Sequence, residues 1–540
     1  MKQKAKSYAE TLNRQRIFCT TPVRLILILI PVFLLILLPG CGTAGEEAQP
    51  AQTPGDVTNF RALVMGTPPD TGLEEIYAQL DALTVPELSC TLRFEFIPWG
   101  NERKQINIAV ASGEYDFISG GVFSDYRTLV SKNAFLDLND YLYLVPDLCA
   151  HYATYSETAL SDCEIDGGLY GLPQFGMGEI ASVNEGFFYR EDLRKQWNLE
   201  PIDSLEDMEA YLYRAKEEER YQDQPLITDN RIWQSLWLMI TRGKYLEVES
   251  MMETPLVVVR ADDPFTVINR LQAPEFLQVL QYLRKWRRDG ILDSNLLALS
   301  DNEGSRGKEL MMADLKPCET NVPDWSASAS LIPDLTKAHP EWEYGFFPYT
   351  SGNREWYIGS LASSSVVSVS SKTSDPKKAV LLLEKIHTDQ RYYDLVKYGA
   401  EGIHYRREGE YISFEDIPVS SQFGWTVCTD DLMNYETVPL NEQWHRDVEE
   451  RLSVWKEELA RAANPHPLDG FAFLADGTTA GQLDTAELKY FQPLVCGYYE
   501  DVQKGLEETL QALTQAGLND YMADIQNQLD RWRAENRMKG

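Results

Sequence analysis

The sequence predicts an α/β fold with a parallel sheet, and three observations carry that reading. Short apolar runs and helical stripes alternate in the order β-α-β-α-β between residues 59 and 121. The stretch from 406 to 540 reads mostly as helix. Hydrophobic residues make up 44% of 540, with 12 Trp, 28 Tyr and 20 Phe, which is enough for a large interior divided among two or three packed units.

Taken in order, Arg61 to Met65 is a short apolar run, Leu73 to Leu83 has helical spacing, and Leu92 to Ile97 alternates with Phe94 and Phe96 on one face. Asn101 to Ser112 is helical, and Asp116 to Ser119 is a strand ending in Gly120-Gly121. Strands joined through helices form parallel sheets, whose ligand sites lie beyond the strands' carboxyl ends. Ser204-Leu-Glu-Asp207 is a relative of the capping box and opens a helix through Met208, Tyr211 and Leu212. Phe276, Val279, Leu280, Leu283 and Trp286 share one stripe before a stop at Gly290. The Ser-rich stretch Ser360 to Ser371 is interleaved with Val366, Val367 and Val369 and reads as a strand. At the end, Leu506, Leu510 and Leu513 form a stripe that Gly517 breaks. Asn519 then caps a second helix with Tyr521, Ile525, Leu529 and Trp532 inward, so Trp286 and Trp532 are core residues.

The N-terminus has a separate logic. Lys2, Lys4, Lys6, Arg14, Arg16 and Arg24 stand against Glu10, and an apolar run of 14 residues follows from Leu25 to Leu38. A spanning helix needs roughly 20 residues, so the run fits a signal-peptide h-region. With Gly40-Cys41 behind it, residues 1–40 resemble a bacterial lipoprotein signal, which implies cleavage and a lipid on Cys41 that holds the chain to the cell exterior. Residues 41–58 read as a flexible tether.

Charge and cysteines narrow the classes further. Without residues 1–40, 44 Lys and Arg face 82 Asp and Glu, a balance of −38 that argues against nucleic acid. Cys90, Cys149, Cys163, Cys318, Cys428 and Cys496 are widely spaced without C-x-x-C, so no metal site is expected. Cys149 and Cys163 can close a small disulfide loop, with buried thiols as the alternative. There is no H-E-x-x-H, G-x-S-x-G or P-loop, and Gly176-Met-Gly178 with Ala181 lacks the unit that a dinucleotide fingerprint requires. No cofactor and no catalytic residue are expected.

Several segments together resemble a known family. Gly113-Glu-Tyr-Asp116 with Gly120-Gly121 and Phe135-Leu-Asp-Leu-Asn-Asp-Tyr-Leu142 is one; Gly168-Leu-Tyr-Gly-Leu-Pro173 and Phe188-Tyr-Arg-Glu-Asp-Leu193 follow. Lys377 to Glu384, Tyr398 to Tyr405 and Leu513 to Trp532 continue the match. In order and spacing these resemble the extracellular solute-binding proteins of ABC importers, the lipoprotein branch with carbohydrate-type (family 1) domains and a C-terminal helical extension. The resemblance implies a two-lobed periplasmic-binding-protein-like fold (type II) with hinge crossings. Its parts would be a first lobe over 59–170 that resumes at 359–405, a second lobe over 171–358, and a helical region over 406–540. It also implies a monomer that is not an enzyme, captures a carbohydrate and meets the permease subunits of an importer.

A sugar offers an apolar ring face and a rim of hydroxyls, so it needs flat aromatic side chains beside Asp, Glu, Asn or Arg. On that ground, and on the resemblance, the candidate contacts are Trp99, Asn101, Asp116, Tyr189, Trp325, Trp356, Glu401, Tyr405 and Trp425, with core packing as the competing reading for each. Tyr170, Gly171 and Pro173 combine a permissive glycine with a locked proline and suit a hinge. A peptide-binding or sensor-coupled protein of the same fold, and a surface-anchored glycoside hydrolase, remain as alternatives.

Overall fold

The computed structural model describes residues 57–98, 102–121, 124, 126–155, 159–165, 167–174, 186–248, 256–298, 304–322, 332–351, 365–409, 411–414, 416–425, 436–437, 442–462, 467–468, 471, 473 and 477–539. The signal, Cys41 and most of the tether therefore lie outside the described residues, as do Trp99, Asn101, Trp325, Trp356, the Gly176 to Ala181 stretch and Cys428.

Strand β1 (Thr58–Met65), helix α1 (Leu73–Leu88), β2 (Cys90–Ile97), α2 (Glu102–Ser112) and β3 (Phe117–Gly121) follow the predicted order. β1 pairs in parallel with β2 from Thr58 opposite Cys90 to Met65 opposite Ile97, and with β3 at Ala62 opposite Phe117. All five residues of β3 are buried, the pattern of a parallel strand covered on both faces. Helix α3 (Pro146–Tyr155) and strand β4 (Leu172–Pro173) come next.

The chain then leaves this sheet. Strand β5 (Gly186–Arg190) begins a second body with α4 (Leu205–Lys216), α5 (Ile232–Thr241), β6 (Tyr245–Glu247), β7 (Val257–Arg260), β8 (Asp263–Asn269), α6 (Pro274–Arg288), β9 (Cys318–Val322) and β10 (Tyr344–Pro348). Ser204 caps α4 by accepting the Asp207 N–H, as the capping pattern predicts. β5 is the middle of an antiparallel sheet in the order β10-β5-β9. Its Phe187 and Tyr189 face a large core shared with Trp233, Phe276 and Trp286, while Phe188 faces a smaller one with Tyr344 and Phe346.

Strand β11 (Ser365–Val369) returns to the first sheet and slots antiparallel between β3 and β4, giving the order β2-β1-β3-β11-β4. Helix α7 (Pro376–Thr388) adds Leu382, Leu383 and Ile386 to that core. The first core continues past residue 405, because Ile412, Phe423 and Trp425 are buried in it. Helix α8 (Gln443–Ala462) instead puts Val448 and Leu452 on the second body's smaller core. The chain thus crosses between the bodies at 174–186, at 348–365 and between Thr437 and Gln443.

The C-terminal hairpin, α9 (Val502–Gln515) and α10 (Leu518–Lys539), packs Leu506, Leu513, Ile525 and Leu529 into the large second core. Asn519 lies inside α10 and is not its cap; Gly517, at φ 103°, makes the turn that a side chain would strain. Trp286 is buried and Trp532 packs on the same core, edge-on to Phe471.

Of the two readings of Cys149 and Cys163 the structure has the thiols: Cys163 is packed in the first core, and Cys149 is half-buried, which pushes its thiol up. Pro173 belongs to strand β4, and Gly171 directly precedes that strand. A Cβ on Gly171 would sit 2.8 Å from the Val366 Cβ, so glycine is there for close approach to β11. Pro173 lies on the edge strand, where a missing N–H does no harm. Tyr170 is half-buried against the first core.

Candidate functional site

Parallel strands all end on one side, and β1, β2 and β3 deliver their following loops to a common rim. Beyond β1 lies Gly66, whose N–H donates to Ile97 O at 2.8 Å; beyond β2 come Trp99 and Asn101 in sequence; β3 ends at Gly121. β11 enters the sheet here, with Ser365 opposite Gly121, and β4 leaves it here. Gln174 N–H donates to Ser365 O at 3.0 Å, and Ser365 Oγ donates to Gln174 Oε1 at 2.9 Å. These two buried residues fasten together the start of the first crossing and the end of the second.

The loop after β1 is held from behind. His404, fully buried, accepts the Ala400 N–H on Nδ1 at 2.9 Å, so Nε2 carries the proton and donates to Thr71 O at 3.0 Å. The ring fits because Gly72 and Gly399 lack side chains: a Cβ would approach it to 2.6 Å and 2.8 Å. Asp70 N–H also donates to Ser420 O at 2.8 Å. Residue-type reasoning missed His404, although the glycines flanking it at 399 and 402 were a signal of close approach.

The second sheet presents its own rim. Gly186 lies opposite both Pro348 and Val322, so the start of β5 and the ends of β9 and β10 share one edge. In sequence, Trp325 follows β9 and Trp356 follows β10. Below the rim, Tyr349 Oη donates to Thr320 O at 2.7 Å. Lys316 Nζ lies 2.9 and 3.0 Å from the two Glu319 oxygens and 3.2 Å from Thr228 Oγ1. Neighbouring Asp229 is pushed up from its ordinary carboxylate value by burial, against the pull of Arg231.

The other expected contacts are placed elsewhere. Asp116 precedes β3 and so stands at the end of the sheet opposite the rim; its oxygens accept the Arg61 N–H at 2.9 Å and the Thr373 hydroxyl at 2.7 Å. It is a staple between β1 and the return segment. Tyr189 is buried and stacked on Phe187. Tyr405 packs against Tyr398, and burial raises its phenol to about 12. Trp425 is 2% exposed, edge-on to Phe94. Packing, not solute contact, accounts for these three, each worth about 1.5–3 kcal/mol of burial. Glu401 is exposed beside Arg407 at 3.6 Å.

Two lobes, each with its own sheet and rim, and three crossings between them define the two-lobed solute-binding fold. Comparison with known proteins agrees. Over 88% of this chain and 98% of the other, the structure is similar to the N-glycan transport solute-binding protein NgtS of Streptococcus pneumoniae in complex with Man5GlcNAc (TM-score 0.65, 18% identity). The substrate-binding protein FusA of an S. pneumoniae ABC transporter, in complex with kestose, matches over 88% of this chain and 100% of its own (TM-score 0.58, 13% identity). A curated carbohydrate ABC transporter substrate-binding protein of S. pneumoniae serotype 4 is 23% identical over 269 residues. That match covers 49% of this chain and half the length of the relative. Residues 480–534, in the C-terminal helices, match a domain of unknown function, DUF3502. The resemblance to extracellular solute-binding proteins therefore stands, and the relatives are binding proteins, not enzymes.

Proposed function

We propose that this chain captures a carbohydrate, an oligosaccharide in particular, between its two sheets and delivers it to an ABC importer from the outer face of a bacterial membrane. Two separate sheets, with the strand ends of the first and the entry edge of the second both opening onto two of the three crossings that join them, carry the reading. Trp99, Trp325 and Trp356 follow rim strands in sequence and would supply flat faces for sugar rings; Asn101 and Glu401 would serve hydroxyls. The solute would touch both lobes only when they shut, so binding favours the shut form, which the importer reads. Lobe one would comprise 59–173 and 365–405 with the Ile412 to Trp425 extension, a few residues beyond the expected boundary at 170 because β4 pairs with β11 in the first sheet, and lobe two 186–348 with the C-terminal helices. Lipid on Cys41 and the tether to residue 58 would keep a single copy at the membrane.

A melting screen of the mature chain against oligosaccharides and peptides tests this. A ligand at 100 times its Kd should add about 2.7 kcal/mol of stability. Oligosaccharides should raise the melting temperature, and replacing Trp99, Trp325 or Trp356 by Ala should weaken the effect. Peptides raising it while no saccharide does would move the assignment to a peptide binder, and cleavage of a glycan would make the chain a hydrolase.

A further inference from the structure

We propose that Asp229 is a solute-contacting residue of the second lobe, its carboxylate accepting a hydroxyl of the bound saccharide. Asp229 sits in the turn between Leu226-Ile227 and α5, and Leu226, Ile227, Ile232 and Trp233 are all buried in the large second core. That setting leaves its side chain only 9% exposed. Oδ1 accepts the Arg231 N–H at 2.9 Å, while Arg231 Nε stands 3.8 Å away, beyond hydrogen-bond reach. Oδ2 has no hydrogen-bond partner among the described residues.

The neighbouring carboxylate is treated differently. Glu319 holds Lys316 Nζ at 2.9 and 3.0 Å from its two oxygens, and Oε1 also accepts the Thr320 N–H at 3.1 Å. The same ammonium reaches Thr228 Oγ1 at 3.2 Å but makes no hydrogen bond to Asp229, the next residue. A carboxylate has room for about four hydrogen bonds, and leaving a nearly dry charged oxygen unmet is more costly than leaving a neutral one. Burial accordingly pushes the Asp229 carboxyl up, with Glu319 adding to the shift and Arg231 opposing it. Groups held in that condition gather where ligands bind.

Position and charge say which ligand. Thr320, next to Glu319, gives its carbonyl to Tyr349, the residue after β10, and β9 and β10 both end at the rim opposite Gly186. Asp229 thus belongs to the layer below the second lobe's rim. An ionised carboxylate only accepts, so it takes a hydroxyl and repels phosphate or carboxylate. The assignment rests on the carbohydrate reading proposed above.

Calorimetry on the mature chain tests it, with the saccharide that raises the melting temperature most and derivatives of it that each lack one hydroxyl. Asp229→Ala should bind the parent sugar about 10- to 100-fold more weakly, the loss of a hydrogen bond to a charged group. Asp229→Asn should lose less affinity and, without sugar at neutral pH, melt no lower than wild type, which separates contact from scaffold. The wild type should lose affinity for one deoxy derivative above all, and Asp229→Ala should bind that derivative and the parent alike. Should Asp229→Ala not fold, Asp229→Asn carries both comparisons. Unchanged affinity in the variants overturns the proposal, as does a variant that repeats every loss of the wild type across the deoxy series. A wild type that no saccharide stabilises removes the carbohydrate reading and this contact with it; a wild type that binds sugar no better than its variants removes the contact alone.

Discussion

The two lobes bury polar groups in opposite ways. Among the described residues, the fully buried polar side chains of the first lobe are Ser, Thr, Gln and His: Ser365 and Gln174 at the rim, His404 behind it, His387 under the crossing. The second lobe buries formal charges. Arg190 forks onto Asp192 at 2.6 and 2.7 Å over the Trp342 ring, Arg270 pairs with Glu247 between Trp233 and Trp237, and Lys316 is clasped by Glu319. Staples of the first kind set the position of loops, and each is worth about 1 kcal/mol. Pairs of the second kind contribute little net stability, yet losing one partner strands a charge. The first lobe should therefore tolerate polar substitution with local loosening, and the second should fail globally.

Lys316→Met is the strongest way to break that contrast. It leaves Glu319 buried and unpaired and should cost about 3–5 kcal/mol in urea unfolding. Adding Glu319→Leu should restore much of the loss; a single variant as stable as wild type would show that the pair is not buried in solution. His404→Ala removes two hydrogen bonds from the first lobe and should cost about 1–3 kcal/mol. Amide exchange should rise most around Thr71 and Ala400, and a uniform rise over both lobes would deny it a local role.

Asp229→Asn sharpens the comparison through pH. Burial raises this carboxyl in the folded state, so ionisation there costs stability at neutral pH. The cost disappears as pH falls through the raised value toward the ordinary one of about 3.9. The variant should be at least as stable as wild type at neutral pH, with the advantage fading in acid; an advantage that grows in acid would reverse the assignment. The smallest effect belongs to Lys337→Ala. Lys337 Nζ lies 2.7 Å from Asp416 Oδ1, linking the two lobes at an exposed surface, and the melting temperature should not move.

How far the sequence reveals all this depends on the range of the forces involved. The strands β1 to β3, the Ser204 cap and the C-terminal hairpin were legible because local apolar period and cap chemistry decide them. Trp425, Tyr189 and Tyr405 were not, since a loop or strand aromatic is assigned to core or cleft by partners far along the chain, such as Phe94 for Trp425. Asp116 misled for the same reason: its partner Thr373 is 257 residues away. Pro173, one of the three hinge candidates, is held in the sheet by the returning β11, and no local pattern announces where a distant strand will insert. Trp99, Trp325 and Trp356 lie outside the described residues, and their candidacy rests on chain order alone.

The central claim is that an oligosaccharide lies between the two rims. A crystal structure of the mature chain, grown with the saccharide that raises its melting temperature most, addresses this directly. The sugar should lie against the loops after β1 and β2 on one side and after β9 and β10 on the other, with Trp99, Trp325 or Trp356 under a ring face. A bound saccharide touching one lobe only, away from both rims, would contradict it.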